Sequence, residues 1–219
     1  MAFENLDVVK VELDMYANGN LVQTTDEKKA KESGLEGQEF GPQNFIVGKK
    51  IIVEALDEDL LKAEVGESRN LKLSAEEAFG KRKKEFIKTF PKKVFDEQNI
   101  RAVPGATYDF NGMYGTIKSV VGGRVMVDFN NPLAGKEIEI NYKVNEKVED
   151  MNEILSYIIH KVYKLPQDKI SFEVEGEDKI TLYTPKEIIS MKDQLISMLK
   201  ESLKNADKYT IDVKEKKEK

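Results

Sequence analysis

The residue types that most often perform catalysis are scarce in this chain. His160 is the only histidine and there is no cysteine, so serine triads, cysteine–histidine dyads and histidine-based zinc sites lack a group that they require. No glycine-rich phosphate loop follows a predicted strand. The 40 acidic residues are so numerous that we interpret neighbouring carboxylates as solvated faces, and His160 as a surface or interface residue. A reaction without acid, base, nucleophile, metal or cofactor would fit this sequence.

Length and composition limit the classes of protein further. The 219 residues suffice for two or three domains with cores of their own. Charged residues make up 34% of the chain and hydrophobic residues 40%, and the net charge of -5 offers no general basic field for nucleic acid. The N-terminus has no apolar leader, and no stretch reaches membrane-spanning length. We therefore expect a cytoplasmic protein without a membrane or nucleic-acid partner.

The first predicted elements are two strands joined by a tight turn. Val9, Val11 and Leu13 alternate with charged residues, which is the period of a half-buried strand. Asn18 and Gly19 favour a hairpin turn, after which a returning strand begins.

Two helices are predicted between strands. Residues 25–31 form a short charged helix, which Gly34 can end. Apolar residues recur at helical spacing over residues 56–65, with acidic residues in the first turn and Gly66 after the last. The basic run at residues 81–84 then marks a change in composition.

A segment rich in aromatic residues and turns lies between about residues 85 and 131. Its runs Met113–Val121 and Arg124–Phe129 are separated by Gly122-Gly123, which predicts a hairpin. Apolar alternation returns in residues 133–144. We interpret the segment as a small β domain that interrupts a larger domain.

The C-terminal part has the pattern of a further domain in the order αββαβ. A helix is predicted over residues 151–162, and short strands over residues 170–174, 180–183 and 209–213. Residues 184–187 fit a capping box with proline at the first helical position, so a long helix should follow. The apolar stripe of that helix comprises Ile188, Met191, Leu195, Leu199 and Leu203.

Two sets of motifs, one on each side of the aromatic segment, occur in a fixed order. Before it stand the opening hairpin at residues 9–25, the helix that ends at Val65-Gly66-Glu67, and the run Ala75-Glu76-Glu77-Ala78-Phe79-Gly80. After it stands the run Asp128-Phe129-Asn130-Asn131-Pro132-Leu133-Ala134-Gly135. This order resembles FKBP-type peptidyl-prolyl cis-trans isomerases, and the second run resembles the sequence that closes the insert-in-flap domain of SlyD-like and long-chain archaeal members. The resemblance covers nearly all of residues 8–146.

The resemblance implies an α+β fold in three parts. Residues 1–82 and 130–148 would form an FKBP-like domain, a bent antiparallel sheet around a short helix. Residues 83–129 would form the inserted β-rich flap domain, which acts as a chaperone. Residues 149–219 would form the C-terminal αββαβ domain, whose counterpart in long-chain archaeal members is associated with dimerisation.

The resemblance also implies a reaction, the isomerisation of X-Pro bonds. Its barrier of about 18–20 kcal/mol comes from amide resonance, and an apolar pocket favours the twisted, less polar state. The backbone N–H of Val53 would hold the substrate carbonyl. Carried over position by position, the catalytic pocket comprises Leu13, Val22, Gln23, Ile52, Val53, Leu56, Phe79 and Ile140.

This pocket departs from the family pattern. The family usually has tyrosine at the positions of Leu13 and Phe79, phenylalanine at those of Val22 and Ile140, and aspartate at that of Gln23. The pocket stays apolar but has fewer aromatic walls and polar groups. Two hypotheses remain open: an active isomerase with a chaperone insert, and a catalytically degenerate FKBP-fold holdase with little or no isomerase activity.

The insert contains many large apolar residues for its size, and small domains bury such residues with difficulty. We predict that these residues bind unfolded or nascent polypeptides, although core packing of the insert is the alternative for each of them. The client-binding candidates are Phe86, Ile87, Phe90, Val94, Phe95, Val103 and Met113. For the C-terminal domain we predict homodimerisation through the long helix or the edge of the small sheet. A nucleic-acid or ribosome-associated adaptor that uses the basic insert is a third hypothesis, against which a solvated loop is the simpler interpretation.

Overall fold

The computed structural model describes residues 2–36, 39–176 and 178–216. The chain divides into two compact units: a discontinuous unit, formed by residues up to 72 and from 139 onward, and an inserted unit, Leu73–Ile138. The strands are β1 Val8–Ala17, β2 Asn20–Thr24, β3 Gln43–Ile46, β4 Ser68–Leu73, β5 Ile87–Pro91, β6 Thr107–Phe110, β7 Met113–Val121, β8 Arg124–Asp128, β9 Ile138–Val148, β10 Ser171–Glu175, β11 Lys179–Thr184 and β12 Thr210–Glu215. The α-helices are α1 Glu27–Glu32, α2 Glu54–Leu60, α3 Lys92–Glu97, α4 Met151–Ser156, α5 Lys186–Ile189 and α6 Lys192–Ser202. The predicted mixture of helices and mainly antiparallel sheets is confirmed.

The main sheet of the discontinuous unit contains the predicted opening hairpin. Its five strands follow the order β2-β1-β9-β4, and β3 also pairs with β1. Asn18 and Gly19 have φ angles of 50° and 79°, the left-handed geometry that an Asn-Gly turn supplies, and Asp14 pairs with Thr24 across the two strands. From residue 9 to residue 17, odd-numbered residues of β1 are buried and even-numbered ones are more exposed. One face of the strand therefore belongs to the core.

The two helices of this region form near their predicted positions. Asp26 is the N-cap of α1, as the charged pattern indicates. Helix α2 begins at Glu54 and ends at Leu60, so the predicted end at Val65 is wrong. The chain tightens after Leu60 because the Ala63 N–H donates to the Leu60 carbonyl at 3.1 Å, which is a turn of 3₁₀ type.

The inserted unit has a sheet and a small core of its own. Its strands follow the order β5-β8-β7-β6, and the predicted hairpin of β7 and β8 at Gly122-Gly123 is confirmed. The fully buried members of its core are Phe95, Ile117, Val125 and Val127. Some of the aromatic residues of this segment therefore pack in the core of the inserted unit.

The C-terminal elements follow the predicted order, but two local predictions are wrong. Thr184 ends β11 and is fully buried; its hydroxyl donates to the Pro185 carbonyl at 3.3 Å. Pro185 is itself the N-cap of α5, without a side-chain cap, so the capping box does not form. The predicted long helix is divided into α5 and α6, because the Met191 N–H donates to the Ile188 carbonyl at 2.9 Å in a tight turn. The first helix, α4, continues as a π-helix through Val162.

The C-terminal elements share a hydrophobic core with the main sheet. Val8 of β1 and Ile46 of β3 belong to the same buried cluster as Leu195, Leu199 and Leu203. Three residues of the apolar stripe are therefore used within the chain itself. Homodimerisation stays a prediction, and Met191 is the exposed residue of the stripe.

Candidate functional site

Leu13 and Ile140 form part of an apolar floor on neighbouring strands of the main sheet. Strands β1 and β9 are adjacent, and both side chains are buried. Ile140 shares the buried face of β9 with Tyr142, whose hydroxyl donates to Oδ2 of Asp59 at 2.6 Å. Since Asp59 belongs to α2, the buried face of β9 faces that helix. The opposite face of both strands lines an open cleft with polar residues such as Glu12.

The start of α2 supplies the other apolar residues of the predicted pocket. Val53 and Leu56 are buried, and Ile52 is half-buried. Val53 is the N-cap of α2, with φ -142° and ψ 149°, and its backbone N–H donates to no other residue in the described part of the chain. A hydrogen-bond donor thus stands at the helix start beside Leu56. Phe79 belongs to the inserted unit, where it is half-buried.

Asp57 holds the loop that leads into α2. Its Oδ2 accepts a 2.5 Å hydrogen bond from the Lys50 N–H, and the Gly48 N–H also donates to the carboxylate. Burial raises the pKa of Asp57, and these two backbone donors act in the opposite direction. The carboxylate therefore fixes the turn from which Ile52 and Val53 extend. Sequence reasoning took Asp57 only as an acidic residue in a first helical turn and missed this contact.

Asp59, Arg69 and Tyr142 join α2 to two strands of the sheet. Arg69 of β4 donates to both carboxylate oxygens of Asp59, from Nε at 2.8 Å and from Nη2 at 2.7 Å. The Arg69 guanidinium lowers the pKa of Asp59, while burial and then Asp59 raise the pKa of Tyr142 well above its usual range. A bidentate pair of this kind is geometrically specific, so the network sets the position of α2 above the floor.

Gln23 and Gln43 flank the floor at one edge of the sheet. Gln23 pairs with Met15 and Gln43 pairs with Val11, and opposed residues of antiparallel strands project from the same face. Both amides therefore lie on the face that carries Leu13. Together with Val22 and Glu39 they line a cleft of about 320 Å³. Gln43 was missed in the sequence, because a single amide in a short strand has no distinctive pattern.

The predicted client-binding residues of the insert fall into three groups. Phe86, Val94, Val103 and Met113 are exposed, with Met113 at 63%. Ile87 and Phe90 are half-buried, and the Phe90 ring lies 6.2 Å from that of Phe110 in a stacked arrangement. Phe95 is 2% exposed and packs in the core, so it is placed to support the other rings. Sequence reasoning missed three further exposed apolar residues, Tyr114, Val121 and Met126.

The described residues contain no cluster of metal-binding side chains, and His160 has a structural contact. No group of three or more histidine, cysteine, aspartate or glutamate side chains there could hold a metal ion. Nδ1 of His160 lies 2.8 Å from the Leu165 carbonyl oxygen, and the ring closes the turn after its helix. Within the described ranges, none of the helices combines the length and apolar character needed to cross a bilayer.

Comparisons with known proteins agree with these features. A family model described as FKBP-type peptidyl-prolyl cis-trans isomerase matches residues 3–98, and one described as FKBP26, IF domain, matches residues 88–133. The short-type peptidyl-prolyl cis-trans isomerase of Methanocaldococcus jannaschii is 31% identical over 142 residues, covering 64% of this chain and 90% of that protein. The FKBP-type peptidyl-prolyl cis-trans isomerase SlyD of Helicobacter pylori is 34% identical, over 47% of this chain and 57% of its own length. The FKBP-type 16 kDa isomerase of Escherichia coli is 32% identical, over 48% and 73%.

Proposed function

The chain belongs to the FKBP-type peptidyl-prolyl cis-trans isomerase family, and from this membership we propose that it assists folding by accelerating the isomerisation of X-Pro bonds in unfolded polypeptides. The three-part arrangement, with an FKBP-like domain, a flap insert and a C-terminal domain, belongs to the same proposal. So do the cytoplasmic location and the homodimer. The proposed dimer surface is either the exposed part of the apolar helix face, at Met191, or the edge of the three-stranded sheet β10-β11-β12.

The proposed mechanism needs only a shaped pocket and one directed donor. Twisting an X-Pro bond removes its amide resonance and makes it less polar, so an apolar floor favours the twisted state over the planar one. Leu13, Leu56 and Ile140 provide that floor. The Val53 N–H can hold the substrate carbonyl while the bond turns. This N–H, which donates to none of the described residues and stands beside buried apolar side chains, is the observation that carries the proposal.

Gln23 and Gln43 supply polar contacts at the edge of the same floor. Each amide can donate and accept hydrogen bonds, so the pair can bind the backbone of an extended client on both sides of the proline. Gln23 replaces the aspartate usual in the family with a neutral group. We therefore propose that amide groups of Gln23 and Gln43, rather than a carboxylate, hold the client polypeptide.

The insert adds a second part to the proposal, the holding of clients. Exposed residues such as Phe86, Val103 and Met113 give the inserted unit an apolar surface that can bind unfolded segments. The degenerate holdase is the second candidate function, and the aliphatic residues Leu13 and Val22 at aromatic positions of the family favour it. In that case the insert would perform most of the work.

An NMR exchange measurement on a short X-Pro peptide separates the two candidates. We expect faster cis–trans exchange with catalytic amounts of the protein, and no acceleration would overturn the isomerase proposal in favour of the holdase. The Val22→Phe variant restores an aromatic wall at a half-buried position and should raise kcat/KM. Val65→Phe, at an exposed position of the same unit, is the matched control and should leave kcat/KM unchanged.

A further inference from the structure

The edge of the main sheet has a gap beside the proposed pocket. Strand β2 covers β1 at residues 14–17 and β3 covers it at residues 8–11. Because β9 occupies the other edge of β1, β2 and β3 lie along the same edge with a space between them. Gln23 and Gln43 stand on its two sides, and the cleft of about 320 Å³ that they line is at the small end of the range for ligand pockets, roughly 300–1,000 Å³.

Glu39 gives this cleft its charge. Among the described residues that line it, the others are Val22, Gln23 and Gln43, so Glu39 is the only charged one. Glu39 is joined to Gln43, because its backbone carbonyl accepts a 2.8 Å hydrogen bond from Nε2 of Gln43. The acidic residue is thus held at the same place as an amide of the proposed client site.

Lys161 of the C-terminal part pairs with the Glu39 carboxylate. Both side chains are at least half exposed, at 50% and 68%, and ion pairs between exposed side chains are weak because water competes for both charges. The pair can open when another cation approaches. Lys161 therefore occupies, from within the chain, the place that a basic client side chain would take.

We infer that this cleft is a subsite for a lysine or arginine next to the client proline, with Glu39 as its recognition group and Lys161 as an internal competitor. The inference rests on the proposed isomerase function and names the class of client segment that it favours. The apolar floor takes the prolyl ring, Gln23 and Gln43 bind backbone, and the Glu39 carboxylate pairs with the cationic side chain.

The test compares short X-Pro peptides that differ only in one residue beside the proline, on either side, with lysine or methionine there. Methionine matches lysine in length but is neutral. At low salt we expect kcat/KM for the lysine peptide to exceed that for the methionine peptide by about two- to fivefold, the range that an exposed ion pair supports. Glu39→Gln should bring the ratio to one, and Lys161→Met should increase it.

Two charge-matched variants separate a local effect from the net charge of the protein. Glu32→Gln and Lys28→Met make the same changes in a pair on α1 whose atoms are 3.9 Å apart, and both should leave the ratio unchanged. A ratio of one in the unmodified protein, or a ratio that Glu39→Gln does not alter, overturns the inference while the methionine peptide still reports isomerase activity. If the protein accelerates the isomerisation of no peptide, the proposed function fails. Binding alone then tests the subsite, measured by NMR shifts of the Gln23 and Gln43 side-chain amides. Equal affinity for the lysine and methionine peptides would overturn the subsite.

Discussion

Tyr142 donates a 2.6 Å hydrogen bond to Asp59 across 83 residues of sequence. The phenol thereby joins β9 to α2, at a carboxylate that Arg69 of β4 already holds with two hydrogen bonds. Ile140 lies two residues before Tyr142 on the same buried face. The contact that positions the helix and a residue of the proposed pocket floor thus lie on one strand.

Removal of the Tyr142 hydroxyl tests this connection. Tyr142→Phe leaves the half-buried Asp59 carboxylate with one donor fewer, and hydrogen bonds to charged groups contribute about 1.5–3 kcal/mol. We expect the free energy of unfolding, measured by urea titration, to fall by about 2 kcal/mol. Tyr183→Phe is the matched control, because its hydroxyl donates to Glu173 at 2.8 Å on the exposed surface. An equal loss in both variants would contradict the special role of Tyr142.

Asp7 should make stability depend on pH. Burial alone would raise the pKa of Asp7, but hydrogen bonds from Lys204, the Glu4 N–H and Lys147 outweigh it, so the pKa is lowered. A carboxyl with a depressed folded pKa stabilises the protein above the unfolded value of about 3.9, and the contribution is lost as pH falls through the folded pKa. Asp7→Asn should therefore destabilise the protein by about 2 kcal/mol at pH 7 and by much less at pH 2.

Urea titrations at both pH values measure this difference. The exposed Asp207 provides the control variant Asp207→Asn, which should change stability little at either pH. A pH-independent effect of Asp7→Asn would show that packing, not charge, is what the substitution removes.

Asp57 should affect catalysis through the loop before α2. In Asp57→Asn one acceptor oxygen becomes an amide donor that faces the backbone N–H groups of Lys50 and Gly48, so the turn that carries Val53 should shift. We expect kcat/KM for a short X-Pro peptide to fall about tenfold, which corresponds to about 1.4 kcal/mol, mainly through a higher KM. Glu58→Gln, at the exposed neighbouring position, should keep the original KM. Normal kinetics in Asp57→Asn would argue against a positioning role.

Gly115 permits close packing inside the inserted unit. A Cβ at this position would lie 2.6 Å from Cγ1 of Val127 and 2.8 Å from Cε1 of Phe129, and Val127 is fully buried. Gly115→Ala should destabilise the insert by about 1–3 kcal/mol through overpacking. Hydrogen exchange should accelerate in β7 and β8, whereas Lys118→Ala, at an exposed position of β7, should leave those amides protected.

The exposed apolar residues of the insert should determine client holding. The double substitution Val103→Ser and Met113→Ser removes two exposed apolar side chains, so suppression of aggregation of an unfolded protein should weaken several-fold. Isomerisation of a short peptide should not change. Val65→Ser removes an exposed valine from the discontinuous unit and should leave holding intact. Full holding by the double variant would contradict the proposed role of the insert.

Contacts between near neighbours in sequence were predictable. The alternation of Val9, Val11 and Leu13 predicts β1, the Asn18-Gly19 turn predicts its hairpin, and Asp26 predicts the start of α1, because each depends on the local period or on one backbone turn. The family order of motifs likewise identifies the isomerase family from the sequence alone. The same local reasoning failed at Thr184, whose burial at the end of β11 outweighed its preference as a helix cap.

The tertiary structure alone decided which distant side chains meet. Asp59 and Tyr142, or Glu39 and Lys161, are far apart in sequence, and no periodicity relates a carboxylate on one element to its partner on another. The tertiary structure also decided which surface covers the apolar stripe, because an amphipathic pattern predicts that one helix face is buried but not its packing partner. The sequence determined the opening hairpin, the start of α1 and the family. The packing of β1, β9 and α2 determined the proposed floor, and the pairing of β1 with β2 and β3 determined the cleft beside it.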